Sequence, residues 1–257
     1  MKLEQKVAIV TGGGAGIGEG IVSRFAEEGA SVVVCDIIEE RARQVAAEVN
    51  SRGGKALAFK ADVVRRDEVT ALMTATIDTF GAVDILVNNA GVAKSAPFLE
   101  MSDEDWDYVV DVNLKGVFLC TQAALRHMMK RRYGKIVNIS SIGGLGYIEV
   151  DHVNYPPSKA GVIALTQATA KVAGPYNVNV NSIAPGAILG TNIQEHNPQA
   201  ADLIKQVIDM HVNASVLRRT GTREDIANLA LFLASDESSF ITAQVIKCDG
   251  GRTDLMW

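Results

Sequence analysis

Tyr155 and Lys159 are four positions apart, so any helix that contains both places them on one face. A free phenol titrates near ~10 and is a poor base at neutral pH, but an ammonium beside it stabilises the phenolate. Poising a tyrosine near neutrality asks about 4 kcal/mol of its surroundings. A Tyr and Lys at this spacing also occur by chance on many amphipathic helices, so the pair gains meaning only from what else the chain brings to it.

The second chemical feature is Thr11-Gly12-Gly13-Gly14-Ala15-Gly16-Ile17-Gly18, which follows an apolar run and opens directly into helical periodicity. Glycines permit a tight turn and let a phosphate approach the backbone, while unpaired amides at a helix N-terminus favour an anion. Alone, such a stretch is equally a plain strand-helix turn; its place after a strand and before a helix is what the dinucleotide fingerprint demands. Asp36 stands 18 residues after Gly18, at the end of the next apolar run, where a carboxylate accepts hydrogen bonds from adenosine ribose hydroxyls. It would repel a 2′-phosphate, and Ala15, Ile37 and Ile38 offer no basic group to bind one, so NAD is the expected cofactor. An oxidised nicotinamide would then join Lys159 as a cation near Tyr155. Two alternatives stay open: Asp36 as a simple cap of the following helix, and a SAM-binding methyltransferase, which shares the strand-glycine-helix-acid order.

The elements that must position these residues alternate regularly. Strands are expected at Val7 to Val10, Ser31 to Cys35, Ala56 to Lys60, Ile85 to Asn88, Lys135 to Ile139, Val178 to Ile183 and Gln244 to Cys248. Between them run stretches of helical period, such as Ile17, Ile21, Val22 and Phe25, and Val69, Leu72, Met73, Ile77 and Phe80. Gly29, Gly53 and Gly81 are placed to end helices, and Ser102 with Asp105 and Thr222 with Asp225 have the spacing of a capping box. Near-continuous apolar strands separated by helices imply a doubly wound Rossmann α/β fold, with a seven-stranded parallel sheet covered on both faces. No linker or repeat divides the chain, so residues 1–257 are expected to form one dinucleotide-binding catalytic domain. The least regular stretch, about Gly186 to Gln199, is a candidate lid within a substrate loop of about residues 186–215.

The ordered set of Thr11 to Gly18, Asn88-Asn89-Ala90-Gly91, Asn113, Ser140-Ser141, Tyr155 with Lys159, and Pro185-Gly186 resembles the short-chain dehydrogenase/reductase family over essentially the whole chain. The resemblance implies that Tyr155 takes the alcohol proton as hydride leaves for the nicotinamide, and that Lys159 also holds the nicotinamide ribose. Ser141 would hydrogen-bond the substrate oxygen, and Asn113, inside the long helix after Ser102, would anchor a water chain from Lys159 to solvent. A buried asparagine satisfied by neighbouring backbone is the plain alternative for Asn113. The family pattern also implies cofactor contacts from Gly12, Gly14, Ala15, Gly16, Ile17, Gly18, Asp62, Val63, Asn89, Ala90, Gly91, Pro185, Gly186, Ile188 and Thr191, and a homotetramer built on the two long helices that hold Asn113 and Tyr155. The C-terminal segment would close a second interface.

Three departures stand out. Pro156-Pro157 follows Tyr155, which is tolerated if the helix begins at Tyr155 itself. Ser141 lies 14 residues before Tyr155, one more than the pattern suggests, which makes Ser140 the second candidate. Thr191 comes one position late after Pro185.

Composition sets outer bounds. With 47% hydrophobic and 21% charged residues the chain is an ordinary globular protein, and a net charge of -5 disfavours a nucleic-acid partner. Three scattered cysteines, Cys35, Cys120 and Cys248, read as free thiols of a reducing, cytoplasmic setting. No signal peptide or membrane-length apolar run is visible, and His127, His152, His196 and His211 lack metal spacing, so neither membrane nor metal is expected. The basic run Lys130-Arg131-Arg132 is either a solvated helix end or a docking site for an acidic carrier. Tyr147, Ile148, Ile188 and Met210 are candidate pocket walls.

The expected function is an NAD-dependent oxidoreductase acting on a small secondary alcohol or ketone. The alternatives are a 3-oxoacyl thioester reductase, which should prefer NADPH and need a basic docking surface, and a non-catalytic NAD-binding module.

Overall fold

A computed structural model describes residues 1–146, 151–190 and 201–254, with side chains from 208 onward in the last stretch. In chain order its elements are β1 (Val7–Thr11), α1 (Gly16–Glu27), β2 (Ser31–Asp36), α2 (Glu39–Ser51), β3 (Lys55–Lys60), α3 (Arg66–Phe80) and β4 (Ile85–Asn88). Then follow α4 (Asp103–Val110), α5 (Gly116–Arg131), β5 (Gly134–Ile139), α6 (Tyr155–Ala173), β6 (Val178–Pro185), α7 (Ala201–Ala214), α8 (Arg223–Ala234) and β7 (Val245–Cys248). The strands form one seven-stranded sheet in the order β3-β2-β1-β4-β5-β6-β7. Every pairing is parallel, with Val10 opposite both Val34 of β2 and Val87 of β4. This is the expected doubly wound Rossmann sheet.

Alternation along each strand explains why both faces are apolar. Ala8, Val10, Val32, Val34, Ile85, Val87 and Val137 pack with Phe25, Val45, Ile226 and Leu233, against α1, α2 and α8. Ile9, Val33, Leu86 and Ile136 pack on the opposite face with Leu72, Leu119, Met128 and Ala173, against α3, α5 and α6. At about 1.5–3 kcal/mol for each such side chain buried, two apolar layers hold the strands more firmly than the local strand propensities do. The helix ends follow the expected chemistry: Gly81 closes α3 at φ 84°, and Thr222 and Asp225 form a reciprocal capping box on α8. Ser102 accepts from the Asp105 amide at 3.1 Å and so supplies the serine half of such a box on α4.

The strand limits differ from the sequence expectation by one or two residues, and the largest difference matters. β6 runs on through Pro185, whose missing amide is tolerated at a strand's end, and carries Pro185 to the carboxyl edge of the sheet. Strand order reverses between β1 and β4, which opens a crevice at that edge, where ligands of open α/β sheets collect.

Candidate active site

The glycine turn is built around close backbone approaches. A Cβ on Gly18 would stand 2.0 Å from the Gly12 carbonyl oxygen, and Gly12 itself sits at φ +60°, so neither position admits another residue without rebuilding the turn. Asn89 fastens this turn to the end of β4, its Nδ2 donating to the carbonyls of Thr11 (3.0 Å) and Gly12 (2.9 Å). The Thr11 hydroxyl accepts from the amides of Asn89 and Ala90 at 3.0 and 3.2 Å. α1 starts at Gly16 after Ala15, with no side chain capping its first amides. Those amides face the crevice as an anion site of the kind a pyrophosphate occupies.

Asp36 ends β2 half-buried, and its two carboxylate oxygens accept from the Gly14 amide (3.0 Å) and the Ile38 amide (2.9 Å). The N-cap of α2 is Ile38, so Asp36 joins the glycine turn to the β2–α2 turn rather than capping the helix. One neighbour escaped the sequence analysis. The fold brings Arg41 of α2 against Gly14, where a Cβ would meet Arg41 Cβ at 2.7 Å and the Asp36 carboxylate at 2.9 Å. The Arg41 side chain therefore starts beside the glycine turn that Asp36 holds, a basic residue that the inference drawn from Ala15, Ile37 and Ile38 left out. Helical packing of α2 on the glycine turn was the missing signal.

Tyr155 is the first residue of α6, which places Pro156 and Pro157 in the first turn, where their missing amides have no helical partner to lose. The Tyr155 amide donates to the His152 carbonyl at 3.1 Å. One turn on, Lys159 is 4% exposed, and its Nζ lies 5.6 Å from the centre of the Tyr155 ring. Nζ donates to the Ile139 carbonyl at 3.0 Å, leaving two of its three hydrogens for other acceptors. Burial alone lowers the Lys159 pKa to about 8. Ser141, at the end of β5, accepts from the Gly143 amide at 3.0 Å, which leaves its own hydrogen available to donate. A Cβ on Gly143 would meet Ser141 Oγ at 3.4 Å and the Tyr155 ring at 3.6 Å, so hydroxyl and ring share one small space. Ser140 is directed elsewhere, buried between β5 and β6 with its Oγ donating to the Ile183 carbonyl at 2.8 Å. The choice of Ser141 over Ser140 thus has a structural basis.

Asn113 lies inside the long helix after Ser102, as expected, but at a bulge in it. A wider π-type turn at Asp111–Lys115 joins α4 to α5 without breaking the helical backbone, and Asn113 within it is fully buried. Its Oδ1 accepts from the Val92 amide (2.8 Å), and its Nδ2 donates to the Val92 carbonyl (2.9 Å) and to Ser158 Oγ (3.0 Å). The carboxamide is therefore satisfied by the chain itself, as the plain alternative holds. Gly91 lies directly over it, since a Cβ there would meet Asn113 Oδ1 and Lys159 Nζ at 3.2 Å each.

The remaining residues are placed as follows. Asp62 accepts from the Val64 amide at 3.1 Å in the turn after β3, and Val63 is buried against Gly116 at the start of α5. The Gly186 amide donates to the Cys248 carbonyl at 3.0 Å, which holds the end of β6 beside the end of β7. Ile188 packs its side chain into the core with Ile226 rather than forming an exposed wall. Met210 is exposed on α7. Thr191, Tyr147, Ile148 and His196 lie outside the described residues. Arg131 pairs with buried Asp84 at 2.6 Å and Arg132 donates to the Pro175 carbonyl at 3.0 Å, so two members of the basic run serve the fold. Among the described residues, no group of three potential metal ligands occurs and no helix is long and apolar enough to cross a membrane.

Known proteins share this arrangement. The profile of the family described as enoyl-(acyl carrier protein) reductase matches residues 12–253. A 3-oxoacyl-(acyl-carrier-protein) reductase from Thermotoga maritima is 40% identical over 251 residues, covering 98% of this chain and 99% of the relative. The BbsD subunit of (2S)-((R)-hydroxy(phenyl)methyl)succinyl-CoA dehydrogenase from Thauera aromatica is 40% identical over 256 residues, or 98% of each chain. Among solved structures, levodione reductase superposes with a TM-score of 0.90 at 32% identity, covering 96% of this chain and 97% of that one. A short-chain type dehydrogenase/reductase from Mycobacterium marinum gives 0.89 at 34% identity, covering 98% and 97%. The fold and site define a nicotinamide-dependent oxidoreductase. The chain belongs to the short-chain dehydrogenase/reductase family.

Proposed function

We propose that the chain is an NAD-dependent oxidoreductase that interconverts a small secondary alcohol and its ketone, with Tyr155 as the acid/base. The observation that carries this reading is the convergence of Ser141 Oγ, the Tyr155 ring and buried Lys159 Nζ at the carboxyl edge of β5. The glycine cradle, the uncapped start of α1 and Asp36 fit a dinucleotide, with the pyrophosphate at α1 and the adenosine ribose at Asp36. Asp62, Val63, Asn89, Ala90, Gly91, Pro185, Gly186 and Ile188 complete its lining in this reading. When bound, the nicotinamide supplies the hydride acceptor or donor.

The chain's own residues do the proton chemistry. Tyr155 removes the proton from the alcohol oxygen in oxidation and returns one to the same oxygen in reduction. Lys159, charged below pH of about 8, favours the phenolate and directs its remaining N–H groups at ribose hydroxyls. Ser141 donates to the substrate oxygen, stabilising the negative charge that develops there. Asn113 fixes Val92 against α6 and, by family resemblance, lies on a water path from Lys159 to solvent.

The second reading is a 3-oxoacyl thioester reductase, favoured by the name of the Thermotoga relative and by Arg41 beside Asp36. The exposed Phe98, Leu99, Trp106 and Phe118 around α4 and α5 support a homotetramer built on the α5 and α6 helices, and the free buried Cys35 and Cys120 support a reducing cytoplasm. Purified protein given NAD and a panel of secondary alcohols is expected to form reduced nicotinamide. Equilibrium titration with NADH and with SAM provides the control: preference for SAM, or NADH binding without turnover of any alcohol or 3-oxoacyl thioester, overturns the reading.

A further inference from the structure

The chain between β6 and α8 forms the substrate side of the crevice in this reading, and α7 is its main described element. Among the described residues, the hydrogen bonds that join α7 to distant parts of the chain all run to one short arm, the residues that follow β7. The Thr253 amide and hydroxyl both donate to the Ala214 carbonyl, at 3.0 and 3.1 Å. Just beyond the helix, the Val216 amide donates to Gly251 and the Leu217 amide to Gly250, each at 3.1 Å. Gly250 is itself required there: a Cβ would stand 2.4 Å from Ser215 Oγ, and its φ is +68°.

At the centre of this junction lies a charged side chain with almost no exposure. Arg252 is 1% exposed at its side chain. Its guanidinium forks onto both carboxylate oxygens of Asp254, through Nε at 2.7 Å and through a second, shorter contact from Nη2. Its Nη1 meets Nδ1 of His211, a buried residue in the last turn of α7. The same arm reaches the cofactor side, because Gly186 donates to Cys248 at 3.0 Å and a Cβ on Gly186 would meet Asp249 Cα at 2.8 Å. The arm thus touches the segment's start at Gly186 and its end at Ala214, and a buried guanidinium is a demanding choice for a merely structural seam, since it must be fully paired.

We propose that Arg252 is a positioning residue for substrate: held by Asp254 and seated on His211, it fixes α7 relative to the Gly186 edge where the reacting carbon must lie. The proposal rests on the oxidoreductase reading, and it predicts a larger effect on the alcohol than on the dinucleotide, most of whose lining in that reading lies away from the arm, with Pro185, Gly186 and Ile188 the part beside it.

The test uses the full chain, as wild type and as Arg252→Ala, in two arms. In hydrogen–deuterium exchange, peptides covering 201–214 are expected to exchange about tenfold faster or more in the variant, with the β1 and α1 peptides unchanged. In steady-state kinetics the KM for alcohol is expected to rise about tenfold while the KM for NAD changes far less. Should truncation unfold the chain, Arg252→Lys keeps the charge on Asp254 but cannot fork onto both partners, and it should give the same selective change. His211→Asn retains an acceptor near the place of Nδ1 and should behave as wild type, whereas His211→Leu should copy Arg252→Ala. Unchanged exchange in α7, or a rise shared equally by β1 and α1, overturns the proposal. So does an equal loss for alcohol and NAD. A wild-type chain with no turnover instead removes the oxidoreductase reading, while the exchange arm still decides whether Arg252 holds α7.

Discussion

Lys159 Nζ sits 5.6 Å from the centre of the Tyr155 ring and spends one hydrogen on the Ile139 carbonyl, so the ammonium beside the ring is itself tied to the end of β5. The same strand end leads into Ser141, which brings hydroxyl, ring and ammonium together on one frame. Burial of this lysine has a measurable consequence in the absence of any substrate.

The Lys159 pKa is lowered to about 8 in the fold, against 10.5 for the free side chain. Between those values the unfolded chain binds the extra proton, so stability rises as pH increases from about 8 to about 10.5. Below pH of about 8 the fold bears the full burden of a buried ammonium, up to about 3 kcal/mol. Lys159→Met should therefore raise Tm at pH 7 and flatten its pH dependence across that window, while activity falls. A variant whose Tm keeps the wild-type pH dependence would show that the lysine is solvated in the folded chain.

In the proposed reading Asp36 and Arg41 would oppose one another as cofactor selectors. Asp36→Ala should weaken NADH binding by about tenfold or more and improve NADPH binding, because a carboxylate acceptor is lost and its repulsion of a 2′-phosphate goes with it. Adding Arg41→Ala to that variant should remove the NADPH gain. Fluorescence titration of both reduced cofactors reads this directly, and an unaltered preference in Asp36→Ala would put selectivity elsewhere.

Buried Asn113 holds three partners, the half-buried Val92 amide and carbonyl and the buried Ser158 Oγ. Asn113→Ala leaves them unpaired and should lower stability by about 3 kcal/mol, visible as a lower midpoint in urea. A full loss of activity without that change would instead assign Asn113 to proton delivery alone.

The sheet was legible because parallel strands buried on both faces read as short apolar runs, and Val7 to Val10 and Ile85 to Asn88 announce themselves that way. The glycine turn and the Tyr155–Lys159 pair were equally legible, since each depends on local spacing. Contacts between elements distant in sequence were not. Arg41 comes against Gly14 only once α2 folds back on the glycine turn, and Arg252 reaches His211 only once β7 delivers the arm to α7. The π-type bulge at Asp111–Lys115 was hidden for a different reason: it depends on a shift of backbone hydrogen bonds within a helix that the side-chain pattern already announces.

Tyr155→Phe removes a single oxygen from a partly exposed ring at the first residue of α6 and should leave the fold and NADH affinity intact. With NAD and an alcohol that the wild type oxidises, the variant should form reduced nicotinamide at least about a hundredfold more slowly in a single turnover. Turnover at the wild-type rate in a folded, NADH-binding Tyr155→Phe protein would contradict the assignment of Tyr155 as the group that carries the proton.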